Sequence, residues 1–353
     1  MTSNIAANPM SKLSFLDRFL ALWIIVAMLF GLAIGKLIPE ISTLLDAVKI
    51  QETSLPIALG LLLMMYPVLA KVNYEEIGHL AADKTLLISS LILNWLIGPA
   101  LMFGLAWLFL ADQPEYRTGL IVIGLARCIA MVLIWNDLAC GSREAAALLV
   151  AINSIFQIAA YAILGTFYLK ILPEMLGWDV LDVQFSTWDI SKAVLIFLGV
   201  PLIAGFLTRR YGLKAKGHVW YNEVFIPRIS PFALYGLLFT IVVMFAMQGE
   251  AIIESPQTVF QIALPLLVYF LIMWSVSYAF GYFAKLDYEK TTTLAFTAAG
   301  NNFELAIAVS IGMWGITSGQ ALAGVIGPLI EVPALVALVY VSLWLKKRFI
   351  NRV

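Results

Sequence analysis

The sequence predicts an all-α integral membrane protein with ten transmembrane helices. Of its 353 residues, 62% are hydrophobic and 12% are charged, and the mean hydropathy is +0.93. This composition belongs to a chain that crosses a bilayer several times, not to a soluble domain. Apolar segments near the length of a membrane span cover residues 19–38, 55–70, 86–111, 118–139, 144–172, 192–208, 229–248, 258–284, 291–316 and 319–345.

The basic residues between these segments predict how the chain is oriented. With the N-terminus inside, sixteen lysines and arginines fall on the cytoplasmic side and five on the other side. Because basic loops stay in the cytoplasm, this bias places both termini there. An odd number of spans would move the basic run from Lys346 to Arg352 outside, so the charges favour ten. The first segment lacks a small-residue cleavage site, so we interpret it as a span.

Short similarities at nearly constant offsets predict an internal duplication. Residues 56–59, 117–118 and 142–145 resemble residues 231–234, 290–291 and 318–321, at offsets of 175, 173 and 176. Each half holds five spans, an odd number, so the two halves must be inverted relative to each other. We expect a cytoplasmic tail over 1–18, a first repeat over 19–172, an external loop over 173–191, a second repeat over 192–345 and a cytoplasmic tail over 346–353.

The fourth and ninth segments correspond in this repeat, and each is interrupted. The ninth carries Gly300-Asn301-Asn302-Phe303-Glu304 within its apolar run, and the fourth carries Arg127 and Cys128. Such residues are expected where a helix unwinds and its free backbone groups line a cavity, so Asn301 and Asn302 are candidate site residues. The alternative is a turn between two short helices at the membrane edge. The repeat favours two discontinuous helices that cross at mid-membrane.

Arg127 and Cys128 lie in the middle of the apolar run from Leu120 to Leu138. An arginine at that depth costs several kcal/mol unless it is paired or faces a wet cavity, so it indicates a functional site. A thiol beside a fixed cation is expected to favour its thiolate form, which binds soft, thiophilic centres. The alternative for Cys128 is a small buried hydrophobe. Cys140 lies further along the chain and is expected to be inert.

Glu304 and Glu331 are the other ionisable candidates within apolar segments. Glu304 is a candidate proton carrier, because apolar surroundings favour a protonated carboxyl. Glu331 lies midway along the tenth segment. The alternative is structural: either glutamate neutralises Arg127, since an arginine within a membrane needs an acidic or polar partner.

Composition and motifs argue against several other classes. A formal net charge of zero argues against a nucleic-acid partner. Two cysteines form neither a disulfide framework nor a multi-cysteine metal cluster. The sequence contains no HExxH, Walker or nucleophile-elbow motif. We therefore expect no cofactor, no enzymatic activity and no need for an ATPase subunit.

Several strings of residues point to one family. The most specific is Ala-Arg-Cys-Ile-Ala-Met at 126–131 with Trp-Asn-Asp at 135–137; others lie at 15–19, 64–67, 114–119, 153–154 and 301–304. With these strings the chain resembles, over essentially its whole length, the arsenite efflux permease family of the bile acid/arsenite/riboflavin transporter superfamily. The resemblance implies ten spans, a core domain, a panel domain and two discontinuous crossing helices. It also implies that Cys128 and Glu304 are needed for transport, and that Arg127 and Glu331 occupy positions the family uses.

The resemblance implies a secondary transporter of the plasma (inner) membrane that exports arsenite, As(OH)3, by proton antiport, with antimonite as a further candidate substrate. As(OH)3 is uncharged and has a soft centre; one thiol can bind and release it, whereas three thiolates would trap it. We expect Cys128 to contact As(III), Arg127 to favour the thiolate or orient an oxygen, and Glu304 to exchange the proton. Two alternatives stay open: a sodium-coupled organic-anion carrier of the same superfamily, and a membrane thiol sensor or enzyme.

Overall fold

The described part of the chain is almost entirely helical. The computed structural model describes residues 19–38, 40–46, 49–50, 53–72, 83–129, 131–178, 187–254, 256–315 and 317–350. The predicted tail at 1–18, residues 179–186 of the predicted external loop and residues 351–353 of the C-terminal tail lie outside the described residues. Within the described ranges, β1, Lys49–Ile50, pairs antiparallel with β2, Thr53–Ser54.

The helices follow in chain order with short connections. Those before residue 179 are α1 (Leu20–Leu37), α2 (Ile41–Asp46), α3 (Leu55–Lys71), α4 (Lys84–Phe109), α5 (Pro114–Leu125), α6 (Met131–Leu138) and α7 (Arg143–Leu176). Those after it are α8 (Thr187–Val194, Leu195–Gly199 and Val200–Val219), α9 (Trp220–Phe225 and Ile226–Glu254), α10 (Pro256–Phe283), α11 (Tyr288–Ala299), α12 (Phe303–Trp314) and α13 (Gly319–Ile350). Gly217 has φ 81° and ψ 171°, a conformation that favours glycine and is not helical, so the chain bends there, close to the C-terminal end of α8.

Five helical stretches in the described residues are long and apolar enough to cross a membrane. They are Lys84–Phe109, Arg143–Leu176, Thr187–Met247, Pro256–Phe283 and Gly319–Lys346. Leu22–Leu37, Leu55–Lys71 and Phe303–Trp314 are shorter apolar helices. These lengths fit the predicted all-helical membrane protein. The count of ten spans and the division into two repeats stay predictions.

Some predicted segments end too early. The sixth segment is predicted to end at residue 208, but α8 continues to the bend at Gly217 and includes basic residues such as Arg209 and Lys216. The cause is physical: hydropathy detects the apolar part of a helix, whereas backbone hydrogen bonds continue the helix beyond it into polar sequence.

The helices pack in two groups. α1 and α3 pack against α9, and α3 also packs against α8. In the other group, α5 packs against α4 and α13, α10 packs against α11 and α13, and α12 packs against α13. The N-terminal part of α8 contacts α7 and α12, so the groups touch. The second group contains both interruptions and therefore all the candidate site residues.

Both interrupted regions have clear starting and ending signals. Pro114 occupies the first turn of α5, where a missing N–H loses no bond. Asp287 caps α11, since its Oδ1 accepts a hydrogen bond from Lys290 N at 2.7 Å. α5 ends because Ala126 is extended (φ −91°, ψ 120°), and α11 ends because Gly300 is extended (φ −72°, ψ 140°).

Asp83 joins the start of α4 to the start of α11, and its two roles can be separated. Its Oδ1 accepts from Leu86 N at 3.1 Å, and its Oδ2 pairs with Lys290 Nζ at 2.7 Å. The Lys290 ammonium, which donates this hydrogen bond, holds the pKa of the Asp83 carboxyl below its ordinary value of 3.8. Since the pKa is lowered in the folded state, the stabilisation is complete above 3.8 and is lost as pH falls through the folded value.

We expect Asp83→Asn to lose only the ion pair, because asparagine still caps the helix. Both side chains are partly exposed, so this change should destabilise the protein by less than about 1 kcal/mol. Asp83→Ala also removes the cap and should destabilise it by about 1 kcal/mol more. Thermal unfolding of the detergent-solubilised variants measures the difference. Equal melting temperatures for the two variants would contradict the capping role.

Candidate functional site

The two interrupted regions meet each other in the structure. The backbone of Arg127, between α5 and α6, pairs antiparallel with that of Asn301, between α11 and α12. Arg127 is 0% exposed and Asn301 is 1% exposed. The interruption at 300–302 is therefore buried and paired, which argues against a turn at the membrane edge.

Two backbone hydrogen bonds complete this bridge. Cys128 N donates to Gly300 O at 3.3 Å, and Asn302 N donates to Ala126 O at 3.0 Å. All four residues are buried. An unpaired backbone group away from water costs several kcal/mol, so the bridge is what makes two helix breaks tolerable in an apolar interior.

At each break, a side chain from a neighbouring helix also accepts a hydrogen bond from a backbone N–H group. Gln157 on α7 accepts a hydrogen bond from Arg127 N through Oε1, and Glu331 on α13 accepts one from Asn301 N through Oε1 at 3.3 Å. Both side chains are 0% exposed. Positions 127 and 301 are 174 apart, and so are positions 157 and 331. The two breaks and the two side chains that hold them are thus related by one spacing of 174 residues, close to the offsets of the predicted repeat.

Sequence reasoning misses Gln157, because an uncharged glutamine in an apolar helix carries no special signal. The internal repeat could have found it, since the same offset that relates Arg127 to Asn301 relates Gln157 to Glu331. Tyr269 on α10 is missed as well. Nothing in the sequence around it distinguishes it from the other aromatic residues of the apolar segments.

The guanidinium of Arg127 donates hydrogen bonds to carbonyl groups at the C-terminal ends of two helices. Nη2 donates to Gly124 O at the end of α5, and Nη1 donates to Ala298 O at the end of α11, at 3.3 Å. Nη1 also donates to the hydroxyl of Tyr269 at 2.9 Å. The last carbonyls of a helix lack partners within it and carry the negative end of its dipole. A cation between two such ends is therefore stabilised by both.

The side chain of Asn301 also donates hydrogen bonds to carbonyl groups at the C-terminal end of α5. Its Nδ2 donates to Ile123 O at 2.8 Å and to Ala126 O at 3.2 Å, both at the end of α5. The side chains of Arg127 and Asn301 thus satisfy carbonyls that the interruptions leave free.

Arg127 forms no ion pair with a carboxylate among the residues that the structure describes. Its described hydrogen bonds go to helix ends, to Tyr269 and, through its backbone, to Gln157. The geometry therefore favours neither an ion pair with a glutamate nor activation of the Cys128 thiol as the role of Arg127, since no described hydrogen bond or ion pair joins its guanidinium to either group. Its charge is stabilised by backbone carbonyls.

Cys128 and Glu304 lie at the opposite, N-terminal ends of helices. The sulfur of Cys128 accepts a hydrogen bond from Val132 N in the first turn of α6 at 3.3 Å. Glu304 lies in the first turn of α12, where Asn302 Oδ1 caps Leu305 N at 3.0 Å. N-terminal ends carry free N–H groups and positive potential, so they favour groups that bear negative charge.

The thiol and the two carboxyls form one cluster. Cys128 lies close enough to Glu304 and Glu331 to interact electrostatically with both, and the two carboxyls interact with each other. Gly300 lies among them: a Cβ at this position would be 3.0 Å from Cys128 Cβ and 3.6 Å from Glu331 Oε1. A glycine here lets the interruption approach the thiol.

Among the described residues, several that form or hold the bridge carry a buried polar atom without a hydrogen-bond partner. Buried polar groups are nearly always satisfied, so such atoms in one place indicate a site for a polar ligand. They are Arg127 Nε, Gln157 Nε2, Asn301 Oδ1, Asn302 Nδ2 and Glu331 Oε2.

The structure brings the residues expected from the sequence to one place. They are Arg127, Cys128, Asn301, Asn302, Glu304 and Glu331, and each is at most 6% exposed. Cys140 lies apart from them, beyond the C-terminal end of α6, with a left-handed φ of 57°. Their roles in transport stay predictions.

Comparison with known proteins identifies the family. A profile of the Sodium Bile acid symporter family matches residues 58–255, more than half of the chain. The chain belongs to this family. Among curated relatives, the Arsenical-resistance protein Acr3 of Corynebacterium glutamicum is 57% identical over 339 residues, which are 96% of this chain and 91% of that protein.

Two more distant relatives cover similar lengths. The Arsenical-resistance protein Acr3 of Alkaliphilus metalliredigens is 30% identical over 340 residues, which are 94% of this chain and 93% of that protein. An uncharacterized transporter of Synechocystis is 35% identical over 346 residues, which are 93% of this chain and 88% of that protein. These matches confirm the resemblance to the arsenite efflux permeases. The chain is a multi-pass membrane transporter of the arsenical-resistance type and is not an enzyme.

Removing the charge of a glutamate should not restore the stability that is lost when Arg127 is replaced. Arg127→Met leaves the carbonyls of Gly124 and Ala298 without donors, and we expect a loss of about 3 kcal/mol of stability. Arg127→Met/Glu304→Gln and Arg127→Met/Glu331→Gln should unfold at temperatures no higher than the single variant in detergent. If an ion pair were the main role of Arg127, removing the second charge would restore much of the stability. Such recovery would contradict the helix-end role.

Proposed function

We propose that the protein exports arsenite, As(OH)3, from the cytoplasm by secondary active transport, and that arsenite binds where the two interruptions meet. The observation that carries this proposal is Cys128, a single buried thiol beside two carboxyls at the bridge. Two relatives that align over more than nine-tenths of their length are named arsenical-resistance proteins. Their names support trivalent arsenic as the substrate.

The thiol supplies one bond to arsenic. The sulfur of Cys128 bonds to arsenic, and the thiol proton leaves with one hydroxide as water, so that the site holds a cysteinyl arsenic dihydroxide. Water reverses the step and releases As(OH)3. Thiolate sulfur suits a soft centre, and a single sulfur allows release on the other side. Sb(OH)3 has the same kind of centre, so we propose antimonite as a second substrate.

Polar atoms of the bridge suit the hydroxyls that remain on arsenic. Asn301 Oδ1 and Glu331 Oε2 accept hydrogen bonds, whereas Arg127 Nε and Asn302 Nδ2 donate them. A neutral hydroxyl both donates and accepts, so a bound arsenic dihydroxide satisfies both kinds of atom. In this arrangement Arg127 orients an oxygen of the substrate.

We further propose ten spans in two inverted repeats, 19–172 and 192–345. In the bridge, Cys128 and Asn302 occupy equivalent positions 174 apart, and each donates from its backbone to the opposite half. Ser142 and Ser318 cap α7 and α13 alike, since each Oγ accepts from the N–H three residues later at 3.2 Å. An antiparallel bridge between equivalent segments is what an inverted repeat produces.

In this topology the connection between α7 and α8, which lies within the predicted loop at 173–191, is external. The predicted tails at 1–18 and 346–353 are cytoplasmic, at the plasma membrane, and α13 continues into the second of them as far as Ile350. The group of α1, α3, α8 and α9 forms the panel domain, and the remaining long helices form the core domain. Movement of one group against the other would open the bridge to each side of the membrane in turn.

Protons are the proposed exchanged ion, with Glu304 as the carrier. Arg127 is a buried cation, and Glu331, which interacts electrostatically with Glu304, accepts a hydrogen bond from the backbone of Asn301, the residue that pairs with Arg127. The site is neutral when one of the carboxyls is protonated, and a net charge in such a place is costly. Because As(OH)3 is itself uncharged, a proton moving inward can exchange with it and be the only charge that crosses.

Cys128→Ser should abolish arsenite transport, because serine keeps the volume but has no soft sulfur. The measurement is arsenite uptake into everted membrane vesicles, normalised to the amount of protein in the membrane. Cys140→Ser is the matched control and should keep the wild-type rate. A wild-type rate in Cys128→Ser would contradict the thiol's role.

Glu304→Gln should uncouple arsenite movement from the proton gradient. A proton ionophore should slow uptake by wild-type vesicles and have no effect on uptake by the variant. Glu289→Gln removes an exposed carboxyl from the first turn of α11 and should behave like the wild type. Ionophore sensitivity retained in Glu304→Gln would place the proton elsewhere, and dependence of wild-type uptake on sodium would favour the sodium-coupled carriers.

A further inference from the structure

In the side-chain amide of Gln157, the oxygen is hydrogen-bonded and the nitrogen is not. Its Oε1 accepts the hydrogen bond from Arg127 N, while its Nε2 has no partner, and the side chain is 0% exposed. Both atoms belong to one planar amide, so Nε2 lies next to the backbone that leads into Cys128. A buried amide donor without a partner is destabilising unless a ligand meets it.

The repeat shows what the amide adds at this position. Glu331, the equivalent residue, holds Asn301 N with a carboxyl oxygen. A side chain therefore needs only an acceptor oxygen to hydrogen-bond the backbone N–H at this position. A glutamine supplies the same oxygen together with an NH2 group, which a carboxylate lacks. The NH2 group is thus the feature of Gln157 that the backbone does not explain.

A second amide on α7 is arranged in the same way. Asn153 lies four residues before Gln157, on the same face of the helix. Its Oδ1 accepts from Trp95 Nε1 at 3.1 Å, and its Nδ2 is buried without a partner. α7 therefore presents two amide donors one turn apart. Donors suit the oxygens of a hydroxylated solute, whereas a sodium ion would require oxygen ligands there.

We propose that Gln157 contacts the substrate directly: its Nε2 donates a hydrogen bond to a hydroxyl oxygen that remains on the bound arsenic, while its Oε1 positions the segment that carries Cys128. This inference rests on the proposed function. It assigns recognition of the hydroxyls to α7 and recognition of the soft centre to Cys128. The site then selects a small, neutral, hydroxylated solute as well as a thiophilic one.

The first test compares two substrates in Gln157→Met. The assay is counterflow of radiolabelled arsenite in everted vesicles, with equal pH on both sides so that no proton gradient drives it. We expect the KM for arsenite to rise about tenfold, the effect of one lost hydrogen bond, with little change in kcat. Competition by methylarsonous acid, in which a methyl replaces one hydroxyl, should weaken less, so the variant's preference for arsenite should fall.

Gln320→Met is the matched control. Gln320 is a buried glutamine with an unpartnered amide oxygen, but it lies at the start of α13, away from the bridge. We expect this variant to keep the wild-type KM and the wild-type preference between the two substrates.

The second test, Gln157→Glu, separates the donor from the acceptor. Glutamate keeps an oxygen for Arg127 N, but it donates a hydrogen bond only when protonated. We expect the ratio of this variant's KM for arsenite to the wild-type KM at the same pH to fall as pH is lowered. A purely positioning role predicts wild-type KM at every pH.

The outcomes are distinguishable. If Gln157→Glu matches the wild type across the pH range, or if Gln157→Met keeps both KM and substrate preference, the inference is wrong while arsenite transport stands. If Gln157→Met fails to reach the membrane, the pH profile of Gln157→Glu decides. If wild-type vesicles show no arsenite counterflow, the proposed function fails, and the inference fails with it.

Discussion

Two helices break inside an apolar interior, and the need to satisfy their free backbone groups shapes the rest of the site. The bridge between Arg127 and Asn301 pairs some of these groups with each other. Gln157 and Glu331 accept hydrogen bonds from two other backbone N–H groups. The side chains of Arg127 and Asn301 donate to carbonyl groups at the helix ends. Each candidate residue is therefore tied to the backbone geometry. Polar atoms left over after this pairing are what a substrate can use.

The breaks also separate charge. The C-terminal ends of α5 and α11 surround the guanidinium of Arg127, whereas Cys128 and Glu304 lie at the N-terminal ends of α6 and α12. Helix dipoles stabilise both arrangements. Because backbone carbonyls stabilise the cation, the glutamates are not bound in an ion pair with it. Their carboxyls are then available to protons and to substrate hydroxyls.

Much of the candidate site was predictable from the sequence, because it depends on unusual residues in apolar segments. Arginine, cysteine, glutamate and paired asparagines are conspicuous there, and six such residues meet at the bridge. Gln157 and Tyr269 are not conspicuous, since neither is charged. The ends of the helices were less predictable as well: α8 extends beyond its apolar part to the bend at Gly217, because helical hydrogen bonding does not stop where hydropathy falls.

The sequence by itself determined the class of protein, the interruptions and the chemical groups that they carry, because composition and local pattern are properties of the chain. Only the tertiary structure decided the partners of those groups. Arg127 meets Tyr269 and Ala298 across 142 and 171 positions of sequence, and no local pattern encodes such distances. The choice between a glutamate and helix ends as the partner of Arg127 depends on how four half-helices converge, and that is a property of packing.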